Sequence, residues 1–220
     1  MSKKLIVFDW NGVIIADTLA CLYADNMVLK AFRGKPVNLK TYRETFRIPA
    51  NDFYAMQGAD KKELAQKSKK CGDIFHEYYE KRVSRIRTRK NIKKVLEWLK
   101  RNNFESVILS NHTIKGIDNQ LIRLKIKDYF LKVLATSDKS TSMKKKSKFQ
   151  KLKSYLKGYN KNKVFIIGDS PEEVEIGRKL GIKRIALTGG YFSNQRLKQS
   201  NPDYMINNLK EIINILKKCK

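Results

Sequence analysis

Three short stretches, "LIVFDW" at residues 5–10, "SVILSN" at 106–111 and "KVFIIGD" at 163–169, are almost wholly apolar, rich in Val, Ile and Phe, and closed by polar turns. An uninterrupted apolar run of this length is the pattern of a strand buried on both faces, as in a parallel sheet. "RIALTGG" at 184–190 has the same form, and "KVLAT" at 132–136 a weaker version. Between these runs the apolar residues recur at helical spacing, in "IKKVLEWLK" (92–100), "KFQKLKSYL" (148–156), "PEEVEIGRKLG" (171–181) and "NLKEIINILKK" (208–218). Strand followed by helix, repeated, predicts an α/β fold with a doubly wound parallel sheet.

Residues 16–86 break this rhythm. They contain two amphipathic stretches, "DTLACLYADNMVLKAF" and "KKELAQKSKKCGDIFHEYYEKRVSRI", with "RGKPVN" and "RIPAND" between them and no convincing strand. The expected organisation is a core made of residues 1–15 and 87–220, interrupted by a small α-helical insert at 16–86. Within the insert, "RIPANDFYAMQG" at 47–58 reads either as a loop facing a substrate or as aromatics that build the insert's own core.

Composition narrows the class. The chain has 220 residues, 41% hydrophobic and 31% charged, which suits a globular protein with a sizeable core. No apolar run approaches the roughly 20 residues of a membrane helix, and the apolar run of "MSKKLIVFDW" stops at an aspartate before any cleavage signal. A cytoplasmic protein is expected, with no membrane partner. Cys21, Cys71 and Cys219 are odd in number and widely spaced, so neither a disulfide framework nor a zinc site is expected. His76 and His112 are also far apart, which leaves oxygen as the donor for any metal. The formal net charge of +27 is extreme. Its lysines are scattered through every segment and read first as a solvated coat, although the run at 139–163 could contact nucleic acid or another polyanion.

In a doubly wound sheet, ligands bind beyond the carboxyl ends of the strands. The polar residues at those ends are Asp9 and Asn11 after the first strand, Ser110 and Asn111 after the second, and Asp169, Ser170 and Glu173 after the third. Converging carboxylates repel unless a cation lies between them, and an all-oxygen donor set suits magnesium.

These residues carry a resemblance. "DWNGV" at Asp9 to Val13, "VILSN" with Ser110, a lysine opening a helix, and "IIGDSPEE" stand in the order of the four motifs of the haloacid dehalogenase-like superfamily of phosphohydrolases. The continuation "GDSPEEVEIGRKLGIKRIALTGGY" is similar to its phosphoglycolate-phosphatase branch. The resemblance implies a Mg2+-dependent phosphatase acting on a small phosphorylated molecule. Asp9 would be the nucleophile that forms an aspartyl phosphate, with the metal held by Asp9, the Asn11 backbone carbonyl and Asp169. Ser110, Asn111 and a lysine would bind the phosphoryl oxygens. "MKKKSKFQKL" offers Lys144, Lys145, Lys146 and Lys148; Lys148, at the helix start, is the preferred one. Glu173 is expected to support the site by bracing the lysine or orienting a water, although carboxylates at a helix start are favoured by the dipole in any case. The insert resembles the family's small helical cap.

Asn11 departs from the pattern, because the family's second motif-one aspartate acts as general acid and base. An amide cannot do so, and that help is worth about 100- to 10,000-fold. Three outcomes stay open: a substrate with a good leaving group, another proton donor with slower turnover, or a domain that binds a polyanion and does not turn over. Trp10 is expected to pack against the insert, and His112, just beyond the second motif, to be an ordinary surface imidazole rather than one that reaches the pocket.

Overall fold

The computed structural model describes residues 3–136 and 147–218. Lys144, Lys145, Lys146, Cys219 and part of the basic run at 139–163 lie outside them.

The chain enters through β1 (Lys4–Asp9), whose side chains alternate between two buried faces. It then leaves the sheet for five consecutive helices: α1 (Thr18–Ala31), α2 (Leu39–Thr45), α3 (Ala50–Met56), α4 (Lys61–Gln66) and α5 (Ser68–Val83). Side-chain caps set two of their starts: Asn38 accepts from the Thr41 amide, and Asp60 from that of Glu63. The stretch at 47–58 is therefore largely the helix α3, and its Phe53 and Tyr54 are buried in the core. The second amphipathic stretch is broken at Lys67 into α4 and α5, so it is not one helix.

The chain returns through α6 (Ile92–Arg101), β2 (Phe104–Thr113), α7 (Ile114–Leu124), β3 (Lys132–Thr136), α8 (Lys148–Tyr155), β4 (Val164–Gly168), α9 (Pro171–Leu180), β5 (Lys183–Leu187), α10 (Asn194–Gln199), β6 (Tyr204–Ile206) and α11 (Glu211–Lys218). The sheet has six strands in the order β3-β2-β1-β4-β5-β6, every neighbouring pair parallel. The expected doubly wound sheet is present. In the core, one strand and two helices, β6, α7 and α10, go beyond the sequence-based expectation, and in the insert α2 and α3 lie between the two expected amphipathic stretches.

Both faces of the sheet are covered. Leu5, Val7, Val107, Leu109, Val164 and Ile166 pack on Leu152 of α8, on Leu156 just after it, and on Ile176 and Leu180 of α9. On the opposite face, Ile6, Phe8, Ile108 and Ile167 belong to a larger core with residues of α6, α7, α11 and the five-helix segment. Trp10 joins this second core with no exposed surface. Burying each such side chain is worth about 1.5–3 kcal/mol, so the two layers fix the strand ends firmly. Among the described residues, no helix is long and apolar enough to cross a membrane.

Candidate active site

Successive strands leave β1 in opposite directions across the sheet, through β2 on one side and β4 on the other, which makes its carboxyl end the topological switch point. Asp9 is the last residue of β1, and Asp169 follows β4 directly. The ligand atoms of Asp9, Asp169 and Glu173 lie within 4.8 Å of one another, and all three residues are buried.

Local sequence explains how the remaining side chains arrive. Ser147 caps α8 in a reciprocal capping box with Gln150, which puts Lys148 in the first turn, pointing into the site. Its Nζ donates to Asp9 Oδ1 at 3.0 Å and to Glu173 Oε1 at 2.6 Å, and lies 3.4 Å from Glu172 Oε2. Only 4% of Lys148 is exposed. Ser170 caps α9, with Pro171 at the first helical position, and its hydroxyl donates to Glu173 Oε2 at 2.6 Å. Both oxygens of Glu173 are thus engaged, and this residue braces the lysine. Two glycines permit the close packing around the acids. A Cβ on Gly190 or on Gly12 would strike the Asp169 carboxylate, and Gly12 also has a left-handed φ of +71°.

Burial pushes the Asp9 carboxyl well above its ordinary range, with Lys148 opposing and Glu173 and Asp169 reinforcing the shift. Asp169 is raised by burial too, against the pull of the Tyr191 amide, which donates to its Oδ2 at 2.7 Å. Burial alone would lower the Lys148 ammonium, but Asp9 and Glu173 override it and hold the group well above its usual value. One ammonium among three buried carboxylates leaves an excess of negative charge. A divalent cation on the hard oxygens of Asp9 and Asp169 would offset that excess, so the donor set fits magnesium.

Ser110 is buried and its Oγ accepts from the His112 amide at 3.0 Å, which leaves the hydroxyl hydrogen to donate. The strand continues past Ser110 to Thr113, with an irregular register against β3 after Leu109. Asn111 is exposed, and its Nδ2 is 3.5 Å from Glu172 Oε2. The His112 ring is half-buried against Tyr79 of α5, with centroids 6.1 Å apart, which corrects the expectation of a plain surface imidazole.

The Asn11 side chain is fixed by residues that sequence reasoning did not select. Its Nδ2 donates to Asp17 Oδ2 at 2.6 Å and to the Tyr79 hydroxyl at 2.9 Å. Asp17 Oδ1 accepts from the Gly12 amide at 2.8 Å, while Oδ2 also accepts from the Tyr79 and Tyr191 hydroxyls at 2.8 and 2.9 Å. This fully buried carboxylate, raised by desolvation, joins the loop after β1 to α5 and to the loop after β5. An aspartate between an apolar run and a helix was the only sequence signal for it, and a helix cap explains such a residue equally well. Tyr79 and Tyr191 gave none.

A model of the haloacid dehalogenase-like hydrolases matches residues 6–187. The chain belongs to the haloacid dehalogenase-like hydrolases. Similar proteins include a phosphoglycolate phosphatase of Photorhabdus laumondii, 26% identical over 97% of this chain and 92% of its own length. A phosphoglycolate phosphatase of Pseudomonas fluorescens is 26% identical, over 96% of this chain and 78% of its own length. Among solved structures, a haloacid dehalogenase-like hydrolase from Streptococcus pneumoniae superposes with a TM-score of 0.81 at 19% identity, covering 97% of this chain and 98% of the other.

Proposed function

We propose that this chain is a Mg2+-dependent phosphohydrolase acting on a small phosphorylated molecule through an aspartyl phosphate on Asp9. The observation that carries the reading is the convergence of Asp9 and Asp169 at the switch point, with a buried lysine bonded to the nucleophile candidate. The relatives named phosphoglycolate phosphatase support a small phosphorylated molecule as the general substrate type.

In this reading Asp9, Asp169 and the Asn11 backbone carbonyl hold the magnesium, which when bound neutralises charge on the transferring phosphoryl group. Lys148 directs its ammonium at Asp9, which favours the ionised carboxylate and orients it for attack. Ser110, together with Asn111 and neighbouring backbone amides, donates to the phosphoryl oxygens. Glu173 holds Lys148 in place. Residues 16–86 act as a cap over the core formed by 1–15 and 87–220, limiting access to small substrates and excluding water during the first step.

Phosphate release from an aryl phosphate tests the proposal. Release that requires magnesium and is lost in Asp9→Asn is expected; release that survives the substitution refutes it.

A further inference from the structure

We infer that the preferred substrate is one whose leaving group departs as an anion without taking up a proton, a phosphoanhydride or an acyl phosphate. The inference rests on the phosphohydrolase reading above and deepens it.

An alkyl phosphate ester leaves as an alkoxide and needs an acid in the transition state. Asn11 has no transferable proton, and its amide is committed to Asp17 and Tyr79. Asp17 has no exposed surface and accepts four hydrogen bonds, three on Oδ2 and one on Oδ1, all from protein groups. Glu173 is closed by Lys148 and Ser170, and the Lys148 ammonium is held by Asp9 and Glu173. Among the described residues, Asp17 and Glu173 are thus tied to structural partners and Glu172 is paired with Lys148 at 3.4 Å and Asn111 at 3.5 Å, and the chemistry falls to substrates that need no acid.

For such a substrate the step balances. An Asp9 oxygen bonds to phosphorus as the bridging P–O bond breaks. The electron pair leaves on the bridging oxygen as a carboxylate, of pKa about 4, or, from an anhydride whose departing phosphate keeps a proton on a non-bridging oxygen, as a phosphate dianion. A water oxygen then bonds to phosphorus as the bond between phosphorus and the Asp9 oxygen breaks, which regenerates the Asp9 carboxylate. One water proton stays on the phosphate product and the other passes to solvent.

The test measures kcat/KM with magnesium for acetyl phosphate, pyrophosphate, a series of aryl phosphates of rising phenol pKa, and an alkyl phosphate. Acetyl phosphate and pyrophosphate separate the acyl and anhydride sources. In the unaltered protein, rates should fall steeply with leaving-group pKa, the alkyl ester trailing the better of the two by at least about 1,000-fold, within the range general acid help can supply. Asn11→Asp sets a second carboxyl against Asp17, a pair that must share a proton, and so supplies an acid. The gap should narrow by about 100-fold. An alkyl ester within tenfold of acetyl phosphate, or a gap unchanged in Asn11→Asp, overturns the inference. A shallow dependence that steepens in His112→Gln also overturns it, by placing the acid on the imidazole. If Asn11→Asp does not fold, the leaving-group series on the unaltered protein decides alone. Absence of Asp9-dependent phosphate release from every member would instead remove the parent reading.

Discussion

Replacing Lys148 with methionine keeps an unbranched apolar stem of similar reach and removes the charge. The ammonium it removes lies 3.0 Å from Asp9 and 2.6 Å from Glu173, both almost fully buried. Stripping one partner from a buried ion pair costs about 3–5 kcal/mol, because the remaining charge is left without compensation. For a chain of this size each kcal/mol moves the melting midpoint by about 2–4 °C, so Lys148→Met should melt about 6–20 °C lower at pH 7.5 without divalent ions. The sign of the pH dependence follows. Without the lysine, the Asp9 carboxyl, already raised by burial, rises further, so the folded variant binds protons more tightly than the unfolded one. Its deficit should be small near pH 4 and grow as pH rises. Scanning calorimetry of both proteins from pH 4 to 8 in EDTA reads this directly. A midpoint within about 2 °C of the parent at pH 7.5, or a deficit independent of pH, would refute the idea that the ammonium compensates these acids.

Other perturbations have equally definite outcomes. Buried Asp25, which accepts from the Tyr42 and Tyr54 hydroxyls at 2.6 Å each, has its carboxyl raised by burial from 3.8 to about 6. The folded state holds that proton more tightly, so its contribution is complete below pH 3.8 and is lost as pH rises through about 6. That is about 3 kcal/mol, and Asp25→Asn should flatten the corresponding slope in urea stability between pH 4 and 7; parallel slopes would contradict it. Tyr79→Phe removes a donor to Asp17 and an acceptor for Asn11, and urea unfolding should show a loss of about 1–3 kcal/mol. Gly190→Ala drives a methyl group into the Asp169 carboxylate, so magnesium titration followed by calorimetry should show affinity reduced at least about tenfold, with unchanged affinity counting against Asp169 as a ligand.

The sheet was legible because each buried parallel strand is an unbroken apolar run, a signal that needs no knowledge of neighbours. The same reasoning misses β6, whose three residues are too few to show a pattern, and α7, which starts inside the polar stretch after the Ser110 strand. The acids were legible because a charged residue closing a buried strand stands out from its surroundings. Lys148 could be selected among adjacent lysines from its position in the first turn of an amphipathic helix, and the capping box at Ser147 supplies the local reason. Asp17, Tyr79 and Tyr191 were not legible. They meet only because the inserted helices fold back over the sheet, bringing together residues 62 and 174 positions apart, and no local pattern encodes such a contact.

The central claim is that Asp9 attacks phosphorus, and mass spectrometry of the acid-quenched protein tests it most directly. With acetyl phosphate and magnesium, the peptide containing Asp9 should carry one phosphoryl group that hydroxylamine removes and that Asp9→Asn lacks. Phosphate release during turnover without any label on that peptide, or with the label on another residue, would contradict the account.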